Sequence, residues 1–311
     1  MLRFLVTRAI GLVFVLLCVT FITFILGYFA PGDPIRVMMG THFDPALYAN
    51  LKHSYGLDLP WWRQYINFVL NALHGTFGLS YHYQGRQAWD VLSTGLPFSI
   101  ELGLESFAVT LIIGIPSGII AALRANTHID TTISTTMLLL YSIPDIVFII
   151  FFQVSMVWLY NHGLPYLPVA GWDSVQARIA PVLITGTTGV GYFARLTKTT
   201  VLQVLREDYI RTARAKGIIE RIVIYRHALR NAAIPLITVI GPSLAFLVTG
   251  VFITEQFFNI PGVSSITLDA IAQRDYPIIQ ATTVLTAAAV VFFNALTDLA
   301  YAFVDPRIRV E

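Results

Sequence analysis

Charge is what this chain has least of. Asp, Glu, Lys and Arg make up 12% of its 311 residues, against about 25% in an ordinary soluble domain. With 56% hydrophobic residues and a mean hydropathy of +0.68, that shortage excludes a water-soluble globular fold and implies a polytopic membrane protein. Cysteine is almost missing. Cys18 stands alone inside the first apolar run, so a disulfide framework and a Cys-based zinc site are both excluded within the chain. The seven histidines (42, 53, 74, 82, 128, 162 and 227) are scattered, and no pair lies four apart beside a carboxylate, as a helical metal site would require. No Gly-x-Ser-x-Gly nucleophile elbow occurs. The nearest approach to a phosphate loop is the glycine spacing of residues 186–191, but Tyr192 and Phe193 follow it where Lys and Ser or Thr belong. Close helix packing through small residues explains that segment better. No enzyme activity, bound cofactor, metal or nucleic-acid partner is expected of this chain.

What is present is a set of apolar runs. About 20 apolar residues cross a bilayer as a helix, and six segments reach that length: 9–30, 98–123, 133–160, 179–200, 234–256 and 279–303. The first follows Arg3 and Arg8 as a signal peptide would, yet it is too long and lacks a cleavage pattern, so it reads as a retained span. The expected fold is an all-α membrane protein of six transmembrane helices with an external helical segment after the first. Lys and Arg set the orientation. With the N-terminus inside, fourteen of the twenty lie on the cytoplasmic side and six outside, which favours two cytoplasmic termini.

The external segment, 31–97, is unusually long. Pro31-Gly32-Asp33-Pro34 forces a turn, Asp44 is placed to cap a helix over 45–54, and a second helix begins near Pro60. That helix carries Trp61, Trp62, Tyr65 and Phe68, which suit either an aromatic belt at the outer interface or a platform for an external partner.

The most charged stretch connects the fourth and fifth runs. Nine of the twenty basic residues fall between Arg195 and Arg230, with Glu207, Asp208 and Glu220 among them. Ile210, Ala213 and Gly217 recur at i, i+3 and i+7, the mark of a short amphipathic helix, and Gly217 is placed to end it. A second amphipathic stretch is expected to present Ile219, Ile222, Val223 and Leu229 on one side and Arg221, Arg226 and Arg230 on the other. A helix, a glycine and a helix just beneath a membrane suit the reception of a partner.

Ionisable residues within spans mark paths or bundle interiors, because lipid burial is costly. Asp145 follows Pro144 in the middle of the third run and suits either a wet translocation path or a bond to a neighbouring helix. Glu101 and Glu105 share one helical face near the outer end of the second, either lining a vestibule or solvated at the interface. Two functional classes fit these features. An ion-coupled carrier needs a relay and usually shows inverted repeats, and neither is evident. The membrane half of a pump driven by a separate motor needs a cytosolic element that transmits force, which the central connection offers.

The central connection resembles the EAA loop of bacterial ABC importer permeases. Gly217 takes the glycine position, Arg211-Thr212-Ala213 take Glu-Ala-Ala, and Leu229 matches the leucine. Arg211, Thr212, His227 and Arg230 depart from the broad pattern. The peptide and nickel permease branch is closer, through YIRTARAKG at 209–217, HALRNA at 227–232, APGDP at 30–34, IPG at 260–262, RDYP at 274–277 and DPRIR at 305–309. In length and plan the chain is similar to B-type oligopeptide permeases. The resemblance implies a type I permease core over 98–304, preceded by the first span and external segment (1–97) and followed by a cytoplasmic tail (305–311). Within the core it implies a coupling loop at about 201–233 and a coupling helix at 207–216 seated in an ATPase subunit. Tyr209, Ile210, Arg211, Thr212, Ala213, Arg214, Ala215, Lys216, Gly217 and Arg221 would make that contact, the basic residues reaching carboxylates, Ile210 and Ala213 giving a shallow apolar face, and Gly217 allowing close approach. The implied partners are a second homologous permease, two ABC ATPases that hold ATP and Mg, and an external solute-binding protein, in a bacterial inner membrane. Peptides are the expected substrate, delivered to a path in which Asp145 could meet an amino terminus; nickel or another small solute is the alternative.

Overall fold

In a bilayer every backbone polar group must be satisfied within the chain, and helices do this for each apolar run separately. The computed structural model describes residues 2–40 and 43–304 and is helical almost throughout. Among the described residues, the only bridge of strand type joins Leu79 to Gln87. His42 and the 305–311 tail, with Arg307 and Arg309, lie outside the described residues.

Helix α1 (Leu2–Tyr28) ends before the expected turn, where the Asp33 carboxylate accepts the Ile35 N–H at 3.0 Å and starts a short helix, α2 (Pro34–Met39), that the turn signature alone did not reveal. Asp44 caps α3 (Pro45–Ser54) through the N–H groups of Ala46 and Leu47, at 2.8 and 3.4 Å, and α4 (Trp61–Leu73) follows Pro60, both as the sequence indicates. The aromatic face of α4 divides. Tyr65 and Phe68 pack on Phe24 of α1, with ring centroids 5.4 and 6.5 Å apart, while Trp61 and Trp62 stay exposed.

Helix α5 (Ala88–Leu123) starts at Ala88 rather than at 98, and runs through Pro97 and Pro116. Pro97 was a sensible boundary by local rules, but membrane helices tolerate proline where neighbours satisfy the freed carbonyl. The expected span 133–160 is broken. Helices α6 (His128–Ser142) and α7 (Asp145–Asn161) meet at a bend of 90°, because Pro144 lacks an N–H and drives Ile143 into extended backbone, with ψ 123°. Helix α8 (Val175–Leu205) leads into α9 (Asp208–Ala215), α10 (Glu220–Ile222) and a π-turn over Val223–Ala228. Helix α11 (Leu229–Thr249) stops at Gly250, φ +79°, short of the expected 256. Then come α12 (Phe252–Phe257), α13 (Val263–Gln273) and α14 (Tyr276–Val304).

Four described stretches are long and apolar enough to span a membrane: Ile10–Tyr28, Ala88–Leu123, Glu220–Ala245 and Tyr276–Thr297. The bent α6–α7 pair is a fifth if taken as one broken span. The expected sixth, 179–200, is α8. It has the length, but Arg178, Arg195, Lys198 and several threonines make it less apolar, and α5, α6, α7 and α11 pack around it.

The core of the bundle is the parallel pair α5 and α8, brought together by glycine. A Cβ on Gly186 would lie 2.7 Å from the Ser106 carbonyl, one on Gly189 2.6 Å from Thr110 Oγ1, and one on Gly114 3.0 Å from the Val190 carbonyl. Thr110 Oγ1 donates to the Gly186 carbonyl at 2.8 Å across this contact. The 186–191 glycines are therefore a packing surface. Gly186→Val should cost about 1–3 kcal/mol through overpacking and lower the thermal midpoint in detergent, followed by intrinsic fluorescence. Gly11→Val, where a Cβ meets nothing within 4 Å, should leave it unchanged; equal midpoints for the two variants would refute this account.

Candidate functional site

The connection between α8 and α11 is a folded module. In α9, Ile210 and Ala213 turn inward onto Val223 and Ala228, with Val204, Leu205 and Ile218 around them; Ile210 is 0% exposed. This corrects the expectation that Ile210 and Ala213 form a shallow apolar face toward a partner: they dock α9 on its own chain. A second correction concerns the stretch after Gly217. The wider register of the π-turn puts Val223 and Ala228, five residues apart, on the buried side. Ile219 and Ile222, which precede it, are exposed, although both were expected to share a face with Val223. Asn231 at the start of α11 donates to Tyr209 Oη at 2.8 Å, tying the far side of α9.

Outward the module shows charge. Arg211, Thr212, Ala215, Lys216 and Arg221 are exposed. Arg211 reaches Asp208 at 3.3 Å, and Arg221 stacks on Tyr225 at 6.0 Å. Arg214 is held by Glu220 at 2.6 and 3.1 Å, so its guanidinium is already engaged, and this bond raises the Arg214 pKa. At Gly217 a Cβ would meet nothing within 4 Å. Its requirement is conformational rather than steric. With φ +71° it closes a Schellman motif, its N–H bonding the Arg214 carbonyl at 2.9 Å and that of Ile218 bonding the Ala213 carbonyl at 3.3 Å.

The span residues separate into distinct settings. Asp145 is the first residue of α7, half-buried, and accepts a hydrogen bond from Thr188 of α8 across the bend; Pro144 beside it is exposed. Glu101 is paired with Arg178 and accepts from Trp172 Nε1 at 2.9 Å, with Arg178 stacked 5.0 Å above the Trp172 ring. It clamps α5 to the start of α8. Glu105, one turn along, takes no part in that clamp.

Three buried carboxylates, Asp130, Glu255 and Asp275, were given no role in the sequence reading. Glu255 of α12 is 0% exposed and fully used: Oε1 accepts from Ser99 Oγ (2.7 Å) and Val251 N–H (3.2 Å), Oε2 from the N–H groups of Ser264 (2.9 Å) and Ser265 (3.2 Å) at the start of α13. Asp275 accepts from Ser80 Oγ at 2.5 Å and His82 N–H at 3.0 Å, joining the segment before α5 to the start of α14. An acid at the end of an apolar run, flanked by Gly250 and Gly262, was the available signal for Glu255: a Cβ on either glycine would strike its carboxylate.

Residues 114–310 match the family model described as binding-protein-dependent transport system inner membrane component, and residues 1–103 match its N-terminal membrane component. The chain belongs to this family. As a permease of that kind it is the membrane component of an ABC importer. It is 36% identical to a probable peptide ABC transporter permease of Sinorhizobium fredii, over 98% of this chain and 99% of that one. It is 36% identical to a di/tripeptide transport system permease of Pseudomonas aeruginosa, over 94% of each, and 34% identical to a glutathione transport system permease of Shigella flexneri, over all of both. Among solved structures, an inward-facing MetNI methionine ABC transporter superposes with a TM-score of 0.54 at 16% identity, covering 69% of this permease and 96% of that chain. The type I importer fold follows.

The Schellman geometry makes a direct prediction for the permease. Gly217→Val places a β-branched residue in left-handed backbone, a cost of about 1–2 kcal/mol, and should speed amide exchange at Gly217 and Ile218. Gly217→Asn, which tolerates that region better, should exchange nearly as the parent does. Equal protection in all three chains would contradict the role assigned to φ.

Proposed function

We propose that this permease forms half of the translocation path for short peptides, working with a second homologous permease, two ATPase subunits that bind ATP and Mg, and an external solute-binding protein in a bacterial inner membrane. In this reading both termini are cytoplasmic, 1–97 is the peptide-branch addition, and 98–304 is the core. The α8–α11 module faces the ATPases. The observation that carries the reading is the construction of α9, which is fastened to its own chain by Ile210 and Ala213 while Arg211, Thr212, Ala215 and Lys216 face outward. A lever must be rigid on its own side and adhesive on the other. Movement of an ATPase cleft around α9 would pass through Val204 and Leu205 into α8, and through Val223 and Ala228 into α11, without bending at α9 itself.

Tyr209, Arg211, Thr212, Ala215, Lys216, Gly217 and Arg221 are the proposed ATPase contacts. Arg214 supports them through Glu220, and Ile210 and Ala213 position the helix. Asp145 and Pro144, at the α6–α7 bend, are proposed to line the path, with Glu105 nearer its outer end and Glu101 fixing that end through Arg178. Peptide as substrate is supported by the names of full-length relatives, which include dipeptide and oligopeptide permeases of Bacillus subtilis at 35% and 34% identity. No residue cluster capable of holding a metal ion occurs among the described residues.

Purification of the tagged chain in mild detergent should recover two Walker-type ATPases and a second permease, and the complex with its binding protein should take labelled peptide into proteoliposomes when ATP is supplied. A chain that purifies alone and carries solute down an ion gradient would instead be a carrier. Arg211→Glu with Lys216→Glu should cut ATP-driven uptake by roughly tenfold or more, as lost charge-assisted contacts do, and leave the amount of folded permease in the membrane unchanged. Undiminished uptake would remove α9 as the contact.

A further inference from the structure

Beside the seam where α6 meets α8 lies a pocket of about 650 Å³. Its polar lining comes from Ser134, Tyr141, Tyr192, Arg195, Lys198 and Thr199, and none of its lining residues is acidic. Lys198 is neutralised, since its ammonium is paired with Asp130 and bonded to Ser134 Oγ at 2.9 Å. Arg195 is exposed, and among the described residues its guanidinium has neither an ion-pair nor a hydrogen-bond partner. The pocket therefore carries one uncompensated positive charge, with the hydroxyls of Tyr141 and Tyr192 as further donors. Such a set suits an anion.

The opposite charge sits farther along the same seam. Thr188, the donor to Asp145, is one turn before Tyr192 on α8, and Asp145 lies four residues after Tyr141, across the α6–α7 bend. From Thr188 to Arg195 the helix rises about 10 Å at 1.5 Å per residue. An extended tripeptide has nearly that length, at about 3.3–3.6 Å per residue.

Building on the peptide reading, we infer that this seam is a two-ended site for short zwitterionic peptides, Arg195 taking the free carboxylate and Asp145 the ammonium. The site favours two- or three-residue peptides over metal cations, which would find a single carboxylate and a repelling guanidinium. A lipid is the poorer occupant, because an acyl chain in the seam would leave the Tyr141 and Tyr192 hydroxyls unsatisfied.

The test compares variants of the reconstituted importer on three forms of one tripeptide: free, C-terminally amidated and N-acetylated. Selection by the binding protein is common to variant and parent and cancels in their ratio. Arg195→Gln should lower uptake of the free and acetylated forms by about tenfold, the scale of one charge-assisted contact, and spare the amide. Asp145→Asn should lower the free and amidated forms and spare the acetylated one. Parallel loss of all three forms, or no loss, overturns the assignment. A second measurement holds even for forms the parent does not carry. Thr199→Cys in a Cys18→Ser background should react faster with an anionic than with a cationic methanethiosulfonate, and adding Arg195→Gln should abolish the preference. No reaction from water, as a lipid-filled seam would give, or a cationic preference, overturns it too. If the parent complex carries no form of the peptide while the thiol preference holds, the peptide reading fails and the anion pocket stands.

Discussion

The close approach of α5 and α8 is the constraint on which the rest of the permease depends. Lipid offers no hydrophobic drive for helices to associate, so packing and short polar contacts must hold them. Glycines at 114, 118, 186 and 189 let the two backbones nearly touch, and Thr110 bonds across the gap to the Gly186 carbonyl. The Glu101–Arg178 clamp closes one end, and the Lys198–Asp130 pair ties α8 to α6 toward the other. A helix with this many polar side chains is stable in a bilayer because its neighbours surround it.

The two ends of the bundle solve opposite problems. At the α9 end, an amphipathic helix too short to be stable alone is fixed by an apolar cluster, a glycine in left-handed backbone and an asparagine bond to Tyr209. Its charged face is left exposed. At the far end, one carboxylate joins α12 and α13 to α5. Glu255 collects four hydrogen bonds from α5, the α11–α12 break and the start of α13, where the helix dipole also favours negative charge. One end presents charge and the other is closed on itself.

Local chemistry was legible in the sequence and distant packing was not. Asp44, Pro60 and the proline-rich turn after α1 act on their immediate neighbours, and the elements they predict are present. Pro97 and Pro144 show the limit. Pro97 stands at the edge of the second apolar run and Pro144 inside the third, yet the helix passes through the first and breaks by 90° at the second. The α9 motif was visible from its spacing, but which way Ile210 faced was not, because a periodic apolar stripe looks the same whether it meets a partner or its own chain. The π-turn defeated the periodicity altogether, since a 3.6-residue template cannot register a five-residue repeat. Glu255 was hidden for a related reason. Its four partners come from positions as far away as Ser99, and no local pattern announces them.

The π-turn over Val223–Ala228 also bears on how this protein can vary through descent. One residue removed from that run would restore α-helical register and rotate everything after it by about 100°, swinging α11 away from α14 and α5 while its sequence stayed intact. The loop after α7 absorbs an added or lost residue without disturbing any helix. Length is thus a fixed quantity in one six-residue stretch and a free one elsewhere, so relatives that differ in length should place their insertions outside it.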